Sequence, residues 1–488
     1  MADPPRNPVL NPTAPAPARE SEESGPSQIL TAEGCFICRR ISTWDEKYRF
    51  WFLHENYSFP ETLERLTHSL GFCFFHGAQA ALDPSGQSSL TFVHNVLARR
   101  VGTIMSRDLS RRSTGKGSIP PFAVPDPCPA CKDRDDATGR ALFSLVSEIE
   151  PAESDCRTLM GSLCFPHFRV LVSRLSLPVL LRILPLYETA LSSAMDALSE
   201  ENGKTAGEWS IREIENNDPL RLALHLAAGE EGNALFFPPL NKEKAPSTFR
   251  NPVTDFLEDL SAAAACSVCK EMNRAWIEWM EWLADNLPRG MEVRDLLPVC
   301  PAHLRATFRL GNRRLAAASV RNALTRARNQ VRQGITALSP SPLPNSRKSL
   351  FRLGCLRHRE ERPFPEVRRS LGRPLPCPVC HRLAVARDRA LLLLFVLLES
   401  PQHQARFEGG YGLCLRHFSR SLALKPSERV RTILMEVVAS KLALLQWELE
   451  ESMRKDAWMY RPEVAGAEHT SWKRAMLRFS GSFPENDG

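Results

Sequence analysis

The sequence predicts an all-α protein built from internally duplicated helical zinc-binding units, four in number. Three observations predict it. A Cys-x-x-Cys pair is followed by a Cys-x-x-His pair four times over, a proline stands at a fixed place inside each repeat, and each histidine is followed by a breaker and a helix-forming stretch.

The Cys-x-x-Cys pairs are Cys35/Cys38, Cys128/Cys131, Cys266/Cys269 and Cys377/Cys380, and the pairs that follow them are Cys73/His76, Cys164/His167, Cys300/His303 and Cys414/His417. The gaps between the two pairs are 34, 32, 30 and 33 residues, so one spacing recurs. Pro60, Pro151, Pro288 and Pro401 precede the third cysteine of their units by 13, 13, 12 and 13 residues. Proline removes a hydrogen bond from a helix interior, so each is expected to end a helix that began at the Cys-x-x-Cys turn.

After each histidine comes a short apolar turn, a breaker (Asp83-Pro84-Ser85-Gly86, Pro178, Gly311-Asn312 or Lys425-Pro426-Ser427) and a longer helix. The last is the clearest, with Val430, Ile433, Leu434, Val437, Val438, Leu442 and Leu445 at helical period on one face. Each unit therefore reads as a helix, a short helix at the Cys-x-x-His and a long helix, with its own four ligands pinning the two turns together.

The units pair in turn. Offsets from first to second half are 231, 227, 249 and 250 residues at successive ligand pairs, which predicts an internal duplication. The expected organisation is a Pro/Ala/Ser-rich tail over 1–30, a first half with two zinc units over 31–202, a connector over 203–251, a second half with two zinc units over 252–458 and a polar tail over 459–488.

Three thiolates and one neutral imidazole complete a tetrahedral shell for zinc, so about four zinc ions are expected. Iron–sulfur ligation by the same residues is the less favoured alternative. A filled shell leaves no position for water or substrate, and the ions are read as structural. Cys377-Pro-Val-Cys-His381 has the letters of a haem attachment site, but Arg39, Lys132 and Lys270 stand at the equivalent place in the other units, which makes His381 a helix residue beside the site.

Two cysteines remain. Cys156 lies in a polar stretch and is read as an ordinary thiol. Cys355 and His358 either compete for Cys377/Cys380 or form a coincidental half-site. The aromatic residues Tyr48 to Phe52, with Trp276, Trp279 and Trp282, fall on the first helices of their units and are expected in the core.

No export signal opens the chain, and the longest apolar run, Ala390 to Leu398, is too short to span a bilayer. A cytoplasmic location is expected, where reduced thiols serve as metal ligands. Residues 305–389 carry 20 Lys/Arg against four acids, against a formal charge of +7 for the whole chain. On the helix after His303, Arg314, Arg321, Arg328 and Arg332 line one side, beside the apolar stripe Val320, Leu324, Ala327 and Val331. These arginines are the candidate anion-binding residues, for nucleic acid or an acidic protein. Sequence-specific readout is not expected, because base-stacking aromatics and the spacing of a DNA-reading finger are absent.

Cys35-Phe-Ile-Cys38 with Gly71-Phe-Cys-Phe-Phe-His76, and Cys377-Pro-Val-Cys380 with Gly412-Leu-Cys-Leu-Arg-His417, resemble a group of bacterial helical proteins with CPxC and GxCxxH pairs. The resemblance implies bacterial origin and metal binding, and no reaction. Units one and three lack the proline, and unit three has Pro298 in place of the glycine. No P-loop, HExxH or GxSxG occurs, and nothing argues for an enzyme. The expected function is a non-enzymatic zinc-binding scaffold acting as an adaptor or regulatory binding protein. The alternative is a thiol-based zinc switch with chaperone-like behaviour.

Overall fold

The computed structural model describes residues 34–113, 122–150, 156–201, 218–229, 252–287, 294–338 and 367–483, apart from 263, 311, 368–370, 373, 458 and 461. Among the described residues there are eighteen α-helices and no strand. The predicted Cys355/His358 half-site, Pro151 and Pro288 lie outside them.

Each repeat keeps the expected succession of first, short and long helix, and units one, two and four add a further helix before the short one. The first runs through α1 (Phe36–Trp51), a π-helical turn (Phe52–Asn56), α2 (Pro60–His68), α3 (Phe74–Ala81) and the long α4 (Gln87–Ser113). The second has α5 (Pro129–Ile149), α6 (Arg157–Ser162), α7 (Phe165–Val172) and α8 (Leu177–Glu201), followed by α9 (Pro219–Ala228). After α10 (Pro252–Ser261), the third has α11 (Ser267–Asn286), α12 (Pro301–Arg309) and α13 (Arg313–Leu338). The fourth has α14 (Pro378–Leu398), α15 (Pro401–Gly409), α16 (Leu415–Ala423) and α17 (Glu428–Asp456), and α18 (Ser471–Ser480) closes the chain. Pro60 and Pro401 each occupy the first turn of a new helix, where the missing N–H costs nothing, so they do separate the first helix of the unit from the next.

Two kinds of helix pair hold the bundle. The first helices pack within a half, α1 on α5 and α11 on α14, while the long helices pack across the halves, α4 on α17 and α8 on α13. All seven residues of the α17 stripe, and Val320, Leu324, Ala327 and Val331 of α13, are buried. The aromatic expectation holds for Phe52 and Trp276. It fails at Phe50 and Trp51, which are 58% and 42% exposed because α1 turns them away from α5.

The regions read from sequence as connector and tail contain α9 and α18. These helices occupy matching places. α9 packs on the long helices α8 and α13 and on the short helices α7 and α12, and α18 packs on α17, α4, α16 and α3. Phe479 of α18 is fully buried against Gly71 and His94. Phe479→Ala should therefore lower the unfolding free energy by about 3–5 kcal/mol, read as a drop in the denaturant midpoint at unchanged slope. An unchanged midpoint would place α18 outside the core.

Candidate metal centres

Every cysteine that opens a ligand pair is the N-cap of a helix: Cys35, Cys73, Cys128, Cys164, Cys266, Cys300, Cys377 and Cys414. The second ligand, three residues on, is then at N3. In a capping box the N-cap and N3 side chains meet at the mouth of the helix. Here that geometry turns a sulfur and a second ligand to one point. The residue after the second ligand begins the helical ladder in all eight cases, as in Arg39 N–H donating to Cys35 O at 3.1 Å and His381 N–H donating to Cys377 O at 3.2 Å. His381 thus belongs to the backbone ladder of α14, its side chain exposed.

The ligands gather into four groups of three cysteines and one histidine, each group with its donor atoms within 4.8 Å of one another. The groups differ from those expected. Site 1 is Cys35, Cys38, Cys164 and His167; site 2 is Cys73, His76, Cys128 and Cys131; site 3 is Cys266, Cys269, Cys414 and His417; site 4 is Cys300, His303, Cys377 and Cys380. The expectation that each unit supplies its own four ligands is therefore corrected: every site joins two units, and in each half one site is nested inside the other.

Helix length explains the exchange. α1 has 16 residues and carries the chain about 24 Å from Cys35, more than the nine residues of α2 can recover. Because α5 runs against α1, the thiols of Cys128 and Cys131 lie beside Tyr48 at the far end of α1, close enough to raise its pKa along with burial. The ion pair Arg65–Asp133, at 2.7 Å, ties α2 to the same end. Cys73 and His76 emerge there and find Cys128 and Cys131. The second half repeats the layout, with Trp276 of α11 stacked on His303 and Arg382 of α14 lying 4.5 Å over Trp279.

The separations suit an enclosed ion. The closest sulfur pairs are Cys38–Cys164, Cys73–Cys131 and Cys300–Cys380 at 3.7 Å and Cys269–Cys414 at 3.9 Å. A disulfide would bring them to about 2.05 Å, whereas the edge of a tetrahedron around an ion bound at about 2.3 Å is about 3.8 Å. Each histidine turns Nδ1 to its three sulfurs at 3.1 to 3.7 Å.

Burial opposes ionisation of Cys35, Cys128 and Cys266, but contacts with the neighbouring thiols and imidazole outweigh it and hold them well below the ordinary thiol range. Cys377 is lowered chiefly by Cys300 and Cys380. Cys164 and Cys414 are pushed up by burial, and Cys131 and Cys300 first by their cysteine neighbours. A cation would let all three thiols of a group ionise together, and the positive ends of two helices point at each site.

α9 and α18 cover the outer sites in the same way. Each ends in a glycine with φ of +77° (Gly229) or +83° (Gly481). A Cβ on Gly229 would stand 2.9 Å from Cys38 Sγ, and one on Gly481 3.6 Å from Cys269 Sγ. Ser482 N–H donates to Cys269 Sγ at 3.4 Å, and Cys35 N–H donates to His225 Nε2 of α9 at 3.0 Å. Sequence reasoning missed both covers, although a helix-ending glycine recurs 252 residues apart. Cys156 is buried at the start of α6.

Of the predicted anion-binding arginines, Arg332 is exposed but forms an ion pair with Glu188 of α8. Arg321 and Arg328 are half-buried, and Arg314 is exposed. No described helix is long and apolar enough to cross a membrane. Comparison with protein-family models, with curated proteins and with solved structures returns no match.

The nested grouping makes a stoichiometric prediction. Cys35→Ser combined with Cys164→Ser should lower the bound-metal count by about one, and Cys35→Ser combined with Cys73→Ser by about two, since the second pair touches two sites. Elemental analysis giving the reverse order would restore the sequence-local grouping.

Proposed function

We propose that this protein is a non-catalytic, zinc-dependent helical scaffold with an adaptor or regulatory role. One observation carries the reading: helix N-termini converge in pairs on four complete sets of three cysteines and one histidine. Zinc suits that set, being indifferent to d-electron geometry and tetrahedral with sulfur and nitrogen. Four protein ligands leave no place for a reacting water, so the ion's part is to fix one helix end against another. A reducing compartment, the cytoplasm of a bacterium, is the setting in which twelve such thiols stay available.

Because metal and fold are coupled, the purified chain should carry about four zinc ions, and a strong chelator should remove helicity and cooperative unfolding together. A chain that keeps its circular dichroism and melting transition after complete zinc removal would contradict the scaffold role.

The adaptor surface is proposed to use the basic stretch 305–389, whose exposed described arginines on α13 are Arg314 and Arg332. Replacing Arg314, Arg321 and Arg328 with Gln should weaken binding to duplex DNA or heparin and flatten its salt dependence by roughly 0.9 per lost phosphate contact. Absence of wild-type retention on heparin at low salt would remove this part of the proposal.

A further inference from the structure

Sites 1 and 3 occupy equivalent positions in the two halves, yet their surroundings differ. Site 3 has all four ligands buried and adjoins a crevice of about 10 Å³, which is at the limit for one water molecule. Site 1 borders a cavity of about 250 Å³ lined by Cys38, Ser42, Asp45, Gln79, Arg134 and Arg305. Cys38 is only half-buried.

The side chains at matching positions of the two halves differ in kind. Ten residues after the first cysteine stands Asp45 in the first half and Trp276 in the second; fourteen after it, Arg49 and Met280. Six residues after the other Cys-x-x-Cys pair begins stand Arg134 and Leu383. Trp276, Met280 and Leu383 are buried apolar groups, and Trp276 stacks on His303 of site 4. In the first half Asp45 and Arg134 face each other at 3.7 Å and leave room. Asp45 and Arg134 both line the cavity and give it a polar wall for a small polar molecule.

We propose that this cavity admits hydrogen peroxide to Cys38 and makes site 1 an oxidation-sensitive centre, while site 3 is protected. The cavity offers peroxide an acceptor at Asp45 and a donor at Arg134. The Cys38 thiolate attacks one peroxide oxygen, the O–O bond breaks, a sulfenic acid forms on Cys38 and hydroxide departs. The Cys164 thiolate, 3.7 Å away, then attacks the Cys38 sulfur. An S–S bond forms, the S–O bond breaks and a second hydroxide leaves. Two thiolates have lost two electrons to one peroxide, and the hydroxides take protons from solvent. Site 1 is left with Cys35 and His167 only, too few ligands to retain its ion.

This inference rests on the scaffold reading, and the test separates the two. The full-length, zinc-loaded protein is treated with hydrogen peroxide, zinc release is followed with a chromogenic chelator, and oxidised cysteines are mapped by differential alkylation. The expected result is a Cys38–Cys164 disulfide forming at least about tenfold faster than any oxidation at Cys266, Cys269 or Cys414, as access governs thiolate reactivity. Oxidation of site 3 at an equal or greater rate, or intact zinc at both sites, overturns the proposal and leaves the scaffold reading standing. A zinc count well below four before peroxide is added counts against the scaffold reading itself. Asp45→Trp, which installs the residue of the second half, should slow release from site 1 by about tenfold without altering site 3. Asp45→Leu serves as the less bulky check, and unchanged release in both variants also overturns the proposal.

Discussion

The arrangement depends on one constraint: two helix N-termini must bring three cysteines and one histidine to a single point. With a cysteine at the N-cap and the second ligand at N3, each helix delivers two donors at its positive end. A set of three thiolates, one imidazole and a divalent cation carries a net charge of −1, which two helix ends can stabilise. Arg305 contributes as well. Burial weakens its charge, but the thiols of Cys38, Cys164 and Cys300 support it, and it donates to Ala228 O at 3.0 Å. It thereby links α12, which carries site 4, to the end of α9 that covers site 1.

From this constraint the interlocking of the halves follows. The antiparallel first helices set which Cys-x-x-His reaches which Cys-x-x-Cys, and the long helices then leave the sites in positions to pair across the halves. Both cross-half pairs unite an arginine-rich helix with an acidic one, as Arg332–Glu188 and Arg99–Glu450 show. Such exposed ion pairs are worth only about 0.2–1 kcal/mol each, so packing of the apolar stripes dominates. Part of the basic character of α13 is answered by the chain itself.

The helical class, the sixteen ligands and the buried stripe of α17 were legible because each rests on a local period or a fixed spacing. Ligand grouping was not. Two Cys-x-x-Cys and two Cys-x-x-His pairs per half satisfy zinc chemistry in either combination, and the choice is made by the direction in which α5 packs on α1, a tertiary fact. α9 and α18 escaped notice because they carry no ligand; their function lies in a left-handed glycine and a close backbone approach to sulfur. Phe50 and Trp51 show the same limit, since composition alone does not say which side of a helix meets its neighbour.

The most direct test of shared helix ends is to replace the bound ions with an NMR-active cadmium isotope and read scalar couplings from each cadmium to cysteine Hβ and imidazole protons. The account predicts that one resonance couples to Cys35, Cys38, Cys164 and His167 and another to Cys73, His76, Cys128 and Cys131. A resonance coupling to Cys35 and Cys38 together with Cys73 and His76 would contradict it.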